Sequence, residues 1–570
     1  MYKCTNIHIY THTYIHTHTY IHTHTYIYTY IHTYIYTYIH TYIHTHTNIQ
    51  TYTYTYLLIA VQAESIREAE NITNIEMNKI MNWAKNNKIN FNEQKSKAMV
   101  ISRRKRKENK EITVYMNNKP LEQVQKIKYL GIIIDSKLNF REHIMHTASK
   151  CTKLIHALSK SAKHSWGLSH EALYTIYKGA ILPLLLYGAP VWIEALEKEC
   201  NKTVYNRVQR LINIKIAKAF RTTSNEALCT LTGLTPIVIK AEEAAKLYSI
   251  MQKSQAQGID YDVQPKDWLH PANTIRITEQ HEQEEEHAIQ IFTDGSKSEH
   301  GVGAGIAIFV QGKLEHQLRY TLHNRCSNNQ AEQLAIFKAL ETIEKSHISD
   351  CIPRTATVHT DSRITLHSLK NTKNHNYLIE EIRKKAIALE NRKWTITFTW
   401  IKAHAGIYGN ELADKLAKEA ARNDDISFDR TPKSEIVQQI RDQSIAKWQN
   451  QWDRTTKGLI TKQFFPIIKD RLTTKIKLTP NFTALVTAHG KTKAYLHRFK
   501  ITESPECPCD GGNQTVDHLL YDCSKLQRER EKLIREVSKQ DNWPVEKSDL
   551  VNKHIKHFIQ FANAIDFEKL

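Results

Sequence analysis

Four acidic residues carry the chemistry open to this sequence: Asp294 in I-F-T-D-G-S, Glu332 in N-N-Q-A-E, Asp361 in H-T-D-S and Asp414 in G-N-E-L-A-D. Each ends or follows a different kind of element. The carboxylates can therefore converge from several directions, as hard, oxygen-seeking divalent cations require. Such a set suits hydrolysis of a phosphodiester, an anion that repels hydroxide until cations neutralise it and one of them lowers the pKa of water. Two Mg²⁺ or Mn²⁺ ions fit an open, oxygen-only site better than zinc, which prefers a closed cage of nitrogen and sulfur. His404 stands on a glycine-marked loop ten residues before Asp414, and imidazole is the side chain best suited to moving protons near neutral pH. Taken singly, each acid reads as a surface charge and His404 as a loop histidine. Their order and flanks make the set.

The elements that must position these residues follow from hydrophobic pattern. Residues 288–293 form a β-rich run that delivers Asp294; Gly295-Ser296 is expected to turn the chain, and 302–309 to return as a strand. Asn328, Asn329 and Gln330 resemble a helix start, which puts Glu332 in the first turn. A strand over 355–360 ends at Asp361, and a helix can begin after it, a junction where α/β proteins usually place chemistry. Residues 394–400 are a strand by composition. After the loop that holds His404, Asn410 begins a helix that carries Asp414.

At these residues the chain resembles type I ribonuclease H, in the form carried by non-LTR retrotransposons. The resemblance covers residues 291 to about 421, with the four acids and His404 in family order. It implies an α/β fold, a mixed five-stranded sheet flanked by helices. It further implies that Asp294 bridges two Mg²⁺ ions, that Asp414 helps hold the ion activating the attacking water, and that Glu332 with Asp361 holds the leaving-group ion. The implied reaction cuts the RNA strand of an RNA–DNA hybrid, leaving a 3′-hydroxyl and a 5′-phosphate. Ser327, Asn328, Asn329 and Gln330 match the family segment that lies in the minor groove of the hybrid, where amides can sense 2′-hydroxyls. Ser362 is expected to contact the backbone, and Asn410 to touch substrate. Polar residues at a helix start are also ordinary caps. Between Asp361 and Trp400 no tryptophan-bearing basic handle is evident, which leaves hybrid affinity to neighbouring segments.

Upstream, residues 57–65, 91–100 and 128–140 resemble the late palm and thumb of a retrotransposon reverse transcriptase. That family places a Y/F-A-D-D turn directly before the strand that starts here at Leu57, where this chain has Tyr54-Thr55-Tyr56. The paired aspartates are missing, so DNA synthesis is not expected, and the chain reads as a 5′-truncated polyprotein. The expected division is a low-complexity, disordered Thr/Tyr/His/Ile repeat over 1–56, the polymerase remnant over 57–145, and a helical connection over 146–278. An acidic linker over 279–286 leads to the nuclease over 287–422, a basic helical region over 423–506, a zinc-knuckle-like motif over 507–523 and a helical tail over 524–570. In that motif Cys507, Cys509, His518 and Cys523 form C-x-C-x8-H-x4-C. These are four tetrahedral ligands for Zn²⁺, with a first spacing tighter than the usual C-x2-C.

Of the 570 residues, 79 are Lys or Arg against 59 Asp or Glu, a net charge of +20. That balance suits a nucleic-acid partner. The densest basic run, 103–107, is a candidate nucleic-acid contact or nuclear-import signal. The apolar run 180–187 is too short and interrupted to span a bilayer, and the amino terminus lacks an apolar signal region. No membrane partner is expected, and the location is expected to be nuclear or cytoplasmic rather than secreted. A competing reading of the same residues is a catalytically inactive, nucleic-acid-binding transposon relic.

Overall fold

The computed structural model describes residues 5–15, 53–101, 111–160, 168–252, 258–270, 272–278, 288–345 and 353–570. The chain divides into two compact units, Glu243–Ala446 and Met1–Glu242 with Lys447–Leu570.

In the first unit, β-branched and aromatic residues at alternating positions build one mixed sheet. Its strands are β1 (Arg276–Thr278), β2 (Ile289–Ser298), β3 (Gly301–Val310), β4 (Lys313–Leu322), β5 (Thr355–Thr360), β6 (Thr395–Trp400) and β7 (Ile426–Phe428). They lie in the order β7-β4-β3-β2-β5-β6-β1. β2, β3 and β4 form an antiparallel meander, while β5 joins β2, β6 joins β5 and β1 joins β6 in parallel. Five strands were expected and seven are present. The two additions are three-residue strands on the outer edges, where unpaired backbone groups accept any short extended segment that passes.

Helices α1 (Asn328–Lys345), α2 (Arg363–Lys370), α3 (Tyr377–Asn391) and α4 (Tyr408–Ala420) flank the sheet. Because side chains alternate across a strand, Ile289 and Ile291 join a core with α1 and α3, while Phe292 packs with Ala307, Ile401 and Ala413 of α4 in a separate one. On that second side the helix lies backbone to backbone on β3. A Cβ added at Gly303 would stand 2.2 Å from the Ala417 carbonyl oxygen, and one at Gly305 would stand 2.1 Å from that of Ala413. The expected turn at Gly295-Ser296 is displaced. β2 stays extended through both residues, paired with Ala304 and Gly303, and reverses only after Ser298.

In the other unit a four-stranded sheet has the order Thr53–Ala63, Thr5–Ile15, Phe91–Ile101, Glu122–Gln123, with helix Ile66–Asn86 packed against it. Disorder was expected across the repeat, yet 5–15 is a strand paired along its whole length with 53–63; alternating β-formers fit a pleat wherever a partner edge exists. Residues 16–52, the basic run 103–107 and the acidic stretch 279–286 lie outside the described residues. Helices of residues 168–252 break at Gly188 and Gly233, both in left-handed conformation, and Trp448 and Trp452 are core residues. No single helix among the described residues is long and apolar enough to cross a membrane; one bent pair, His170–Leu186 with Ala189–Glu197, passes by length and composition.

Candidate active site

Asp294 sits mid-strand on β2, opposite Gly305, with its carboxylate accepting the Gly295 N–H at 2.9 Å. The α1 helix approaches this point closely: a Cβ at Gly295 would stand 2.6 Å from the Glu332 nitrogen. Glu332, the fifth residue of α1 and so just past the expected first turn, is thereby held over Asp294. Asp361 follows the last residue of β5. One carboxylate oxygen from each of Asp294, Glu332 and Asp361 lies within 4.8 Å of the other two.

Burial and like charge make these groups reluctant anions. Burial raises the Asp294 carboxyl to about 7, helped by the charges of Asp361 and Asp414 and opposed by the Gly295 N–H. Glu332 is raised well above the ordinary carboxylate range by burial first and then by Asp294 and Asp361. Burial also raises Asp361, against the influence of His404. The Glu332 Oε2 atom is buried without a hydrogen-bond partner. A cluster of acids with an orphaned oxygen is costly as bare side chains and fits divalent cations, which supply the missing partner.

The fourth acid is close but differently engaged. Asp414, on α4, acts on Asp294 electrostatically and by hydrogen bond, yet its Oδ2 is 2.6 Å from the Lys418 ammonium. His404 stands exposed on the loop between β6 and α4, with φ 50°.

The expected substrate readers separate. Asn328 and Asn329 are exposed and Ser327 half-buried at the start of α1. Gln330 is buried: its oxygen accepts the Ser327 N–H at 2.9 Å, while the Gln330 N–H reaches Ser327 Oγ at 3.2 Å, a reciprocal capping box. Its amide nitrogen donates to Asp260 and to the Arg430 carbonyl. That carboxamide is taken up by the fold. Ser362 caps α2 through Thr365 N–H. Asn410 is buried inside α4, which starts two residues earlier than expected, at Tyr408, and its Oδ1 has no hydrogen-bond partner.

Two positioning contacts escaped the sequence reading. Trp400 donates its indole N–H to the Asp361 carbonyl at 3.1 Å, and the Arg363 guanidinium lies 3.9 Å over the Trp400 ring. With Ile277, Leu366, His367 and Lys370 they line a cavity of about 220 Å³. Buried Arg383 donates to the carbonyls of Ser368, Leu369, Asn371 and Asn374 and to Glu380, latching the short α2–α3 connection. A lone tryptophan ending a strand and a lone arginine in an amphipathic helix give no spacing signal.

The Cys and His motif closes in the other unit. Cys507, Cys509, His518 and Cys523 offer ligand atoms all within 4.8 Å of one another. Cys509 Sγ is 3.1 Å from His518 Nε2, and Cys507 Sγ is 3.7 Å from Cys523 Sγ. Desolvation opposes the Cys509 thiolate, but hydrogen bonds from the Gly511 N–H, Cys507, His518 and Cys523 outweigh it and lower the thiol to about 6. Burial and Cys507 push Cys523 up to about 11. Three thiols and one imidazole at this separation fit one tetrahedral cation.

A central acid-bearing strand in a mixed sheet, two further acids on neighbouring elements and helices on both faces define the class: an α/β protein of the ribonuclease H-like fold. The ribonuclease H family model matches residues 286–422. A ribonuclease H of Mannheimia succiniciproducens is 30% identical over 146 residues, which are 24% of this chain and 88% of that protein. A Pol polyprotein from the type-1 retrotransposable element R1 4 of Nasonia vitripennis is 30% identical over 164 residues, 28% of this chain and 41% of the relative. The solved structure of RNase H1 from the halophilic archaeon Halobacterium salinarum aligns at 22% identity over 23% of this chain and 96% of that one, with a TM-score of 0.19. The chain belongs to the ribonuclease H family, and with its R1 relatives residues 286–422 stand as the ribonuclease H domain of a non-LTR retrotransposon polyprotein. It spans 41% and 48% of the first two R1 polyproteins it matches.

Proposed function

We propose that the chain hydrolyses the RNA strand of RNA–DNA hybrids, using Mg²⁺ or Mn²⁺ held by Asp294, Glu332, Asp361 and Asp414. The observation that carries this reading is the gathering of three carboxylates within 4.8 Å of one another, one of them, Glu332, with a buried oxygen that has no hydrogen-bond partner. Bound divalent ions would supply a water of lowered pKa and neutralise the phosphodiester. The protein's own part is to fix their ligands on rigid elements: Asp294 by the β2–β3 ladder, Glu332 by the α1 contact at Gly295, and Asp361 by the Trp400 bond. His404 on its exposed loop moves a proton to or from the reacting oxygens. Asn328 and Asn329 face solvent at the start of α1 beside half-buried Ser327, and there the three read 2′-hydroxyls in the minor groove. We further propose that Cys507, Cys509, His518 and Cys523 hold a structural Zn²⁺.

One observation favours the second reading, an inactive nucleic-acid-binding relic: the Lys418 ammonium already occupies a carboxylate oxygen of Asp414. A gel assay of end-labelled hybrid with Mg²⁺ separates the two. Short 5′-phosphorylated RNA products that disappear with Asp294→Asn, while hybrid retention persists, identify the enzyme. Retention without cutting identifies the relic, and cutting by Asp294→Asn at the unaltered rate rejects this site.

A further inference from the structure

In the unit formed by Met1–Glu242 and Lys447–Leu570, aromatic rings and unopposed cations gather on one surface that the nuclease does not use. Helix Glu199–Ala217 ends at Lys218, in left-handed conformation, and the following turn is pinned by Arg210, which donates to the Arg221 carbonyl. Phe220 of that turn lies against Gly490, where a Cβ would stand 2.2 Å from the ring. Next to Gly490, His489 is 3.1 Å from Thr222 Oγ1, and its ring centroid is 4.8 Å from that of Tyr495, which is 4.9 Å from Phe499. Four rings from two distant stretches of chain thus form one patch. Its outer members are open to water: Phe220 is 36% exposed, Phe499 51% and neighbouring Ile501 67%.

Cations from separate elements gather at this patch. After burial, the groups acting on the His489 imidazole are Arg498 and Arg210, both positive, and both lower its proton affinity. Arg221 and Lys500 stand exposed beside them, and none of Arg210, Arg221, Arg498 and Lys500 has an ion-pair partner among the described residues. Folding that places arginines from separate helices around one imidazole costs free energy unless an anion joins them. Exposed aromatic faces framed by such cations match one kind of anion, a flexible chain of phosphates bearing flat bases.

We infer that this patch binds single-stranded nucleic acid, its backbone phosphates on Arg210 and Arg498 and a base stacked on Phe499. Duplexes are excluded from the stacking contact because their base faces are already paired with neighbouring bases. The inference does not rest on the nuclease reading, since it concerns the other unit and is tested without divalent ions.

The test measures fluorescence anisotropy of the full chain in Mg²⁺-free buffer with labelled oligo(dT), oligo(rU), a 20-base-pair DNA duplex and inorganic tripolyphosphate as competitor. Arg210→Gln with Arg498→Glu is expected to weaken both single strands by about tenfold or more and to flatten the dependence of log K on log salt by about 1.4, the change for two phosphates left without their arginines. Phe499→Ala is expected to weaken both oligonucleotides by about fivefold or more and to leave competition by tripolyphosphate unaltered. Phe499 is exposed, so Phe499→Ala should melt with the parent, and it alone suffices if loss of the Arg210 bond to the Arg221 carbonyl makes the double variant melt early. Single-strand affinities within twofold of the parent in Phe499→Ala, or an equal loss for the duplex, would overturn the inference.

Discussion

Among the described residues two clusters could hold a metal ion, three carboxylates in one and three thiols with an imidazole in the other, and they differ in what their side chains do to one another. The carboxylates on β2, α1, β5 and α4 are anions that repel, kept together by backbone: the β2–β3 ladder, the close approach at Gly295 and the two glycines under α4. The Cys and His side chains instead satisfy one another, Cys509 with His518 and Cys507 with Cys523. The first cluster is thus held by the fold against its own electrostatics, whereas the second supplies its own contacts in a segment with little regular structure. On the proposed function, a metal would serve reaction in one and architecture in the other.

Glu332→Gln offers the sharpest way to break that contrast. It should lower hybrid cleavage by roughly 10³-fold, or about 4 kcal/mol of transition-state stabilisation, yet raise the melting temperature of the metal-free protein, because a buried like charge with an orphaned oxygen is removed. A lower melting temperature without metal would mean that the carboxylates stabilise one another. For the other site, Cys523→Ser should take bound zinc from one ion per chain to none by atomic absorption and lower the melting temperature by several degrees, leaving cleavage by the nuclease unit in place. Gly305→Ala comes next. The methyl would meet the Ala413 carbonyl at 2.1 Å, so a loss of about 1–3 kcal/mol is expected in denaturant unfolding, as for other overpacked cores.

The smallest expected effect is a pH dependence, and its sign follows from the direction of the shifts. Asp294 and Glu332 have folded-state pKa values raised above their ordinary ones. The stability they contribute is therefore full below about pH 4 and is lost as pH rises, through about 7 for Asp294. Without divalent ions the melting temperature should fall between pH 5 and pH 8, and added Mg²⁺ should raise it more at pH 8 than at pH 5. An Mg²⁺ effect equal at both values would place the ion elsewhere. The unit with the Cys and His cluster should show no such fall over this range.

Much of the nuclease unit was legible because its long elements are periodic. The strands around Asp294 and Asp361, the helix under Glu332 and the loop bearing His404 all lie where hydrophobic spacing puts them. The edge strands Arg276–Thr278 and Ile426–Phe428 were not, since three residues carry no period and their pairing is decided by the sheet they meet. Gln330 shows a second limit. Ser327-Asn-Asn-Gln330 is both a capping box and a polar surface run, and only its partners Asp260 and the Arg430 carbonyl decide between them. Likewise Asn410 belongs to the interior of α4 because the helix gains a turn's start at Tyr408, which puts the amide on the buried side. The repeat segment 5–15 misled in the opposite sense: its composition denies it a core of its own, but not a place in another's sheet.

The bare peptide contact between β3 and α4 has a consequence for how the fourth acid can vary. Side-chain packing is adjustable, since neighbouring rotamers absorb a misplaced methyl, but a helix seated on glycine α-carbons has no such cushion. The height of Asp414 above the sheet is therefore set by the missing atoms at Gly303 and Gly305, as a shim sets a gap by its thickness. Retuning the span between the inner and outer acids, to favour a larger ion for example, would come most directly from adding carbon beneath the helix rather than from altering the acid itself.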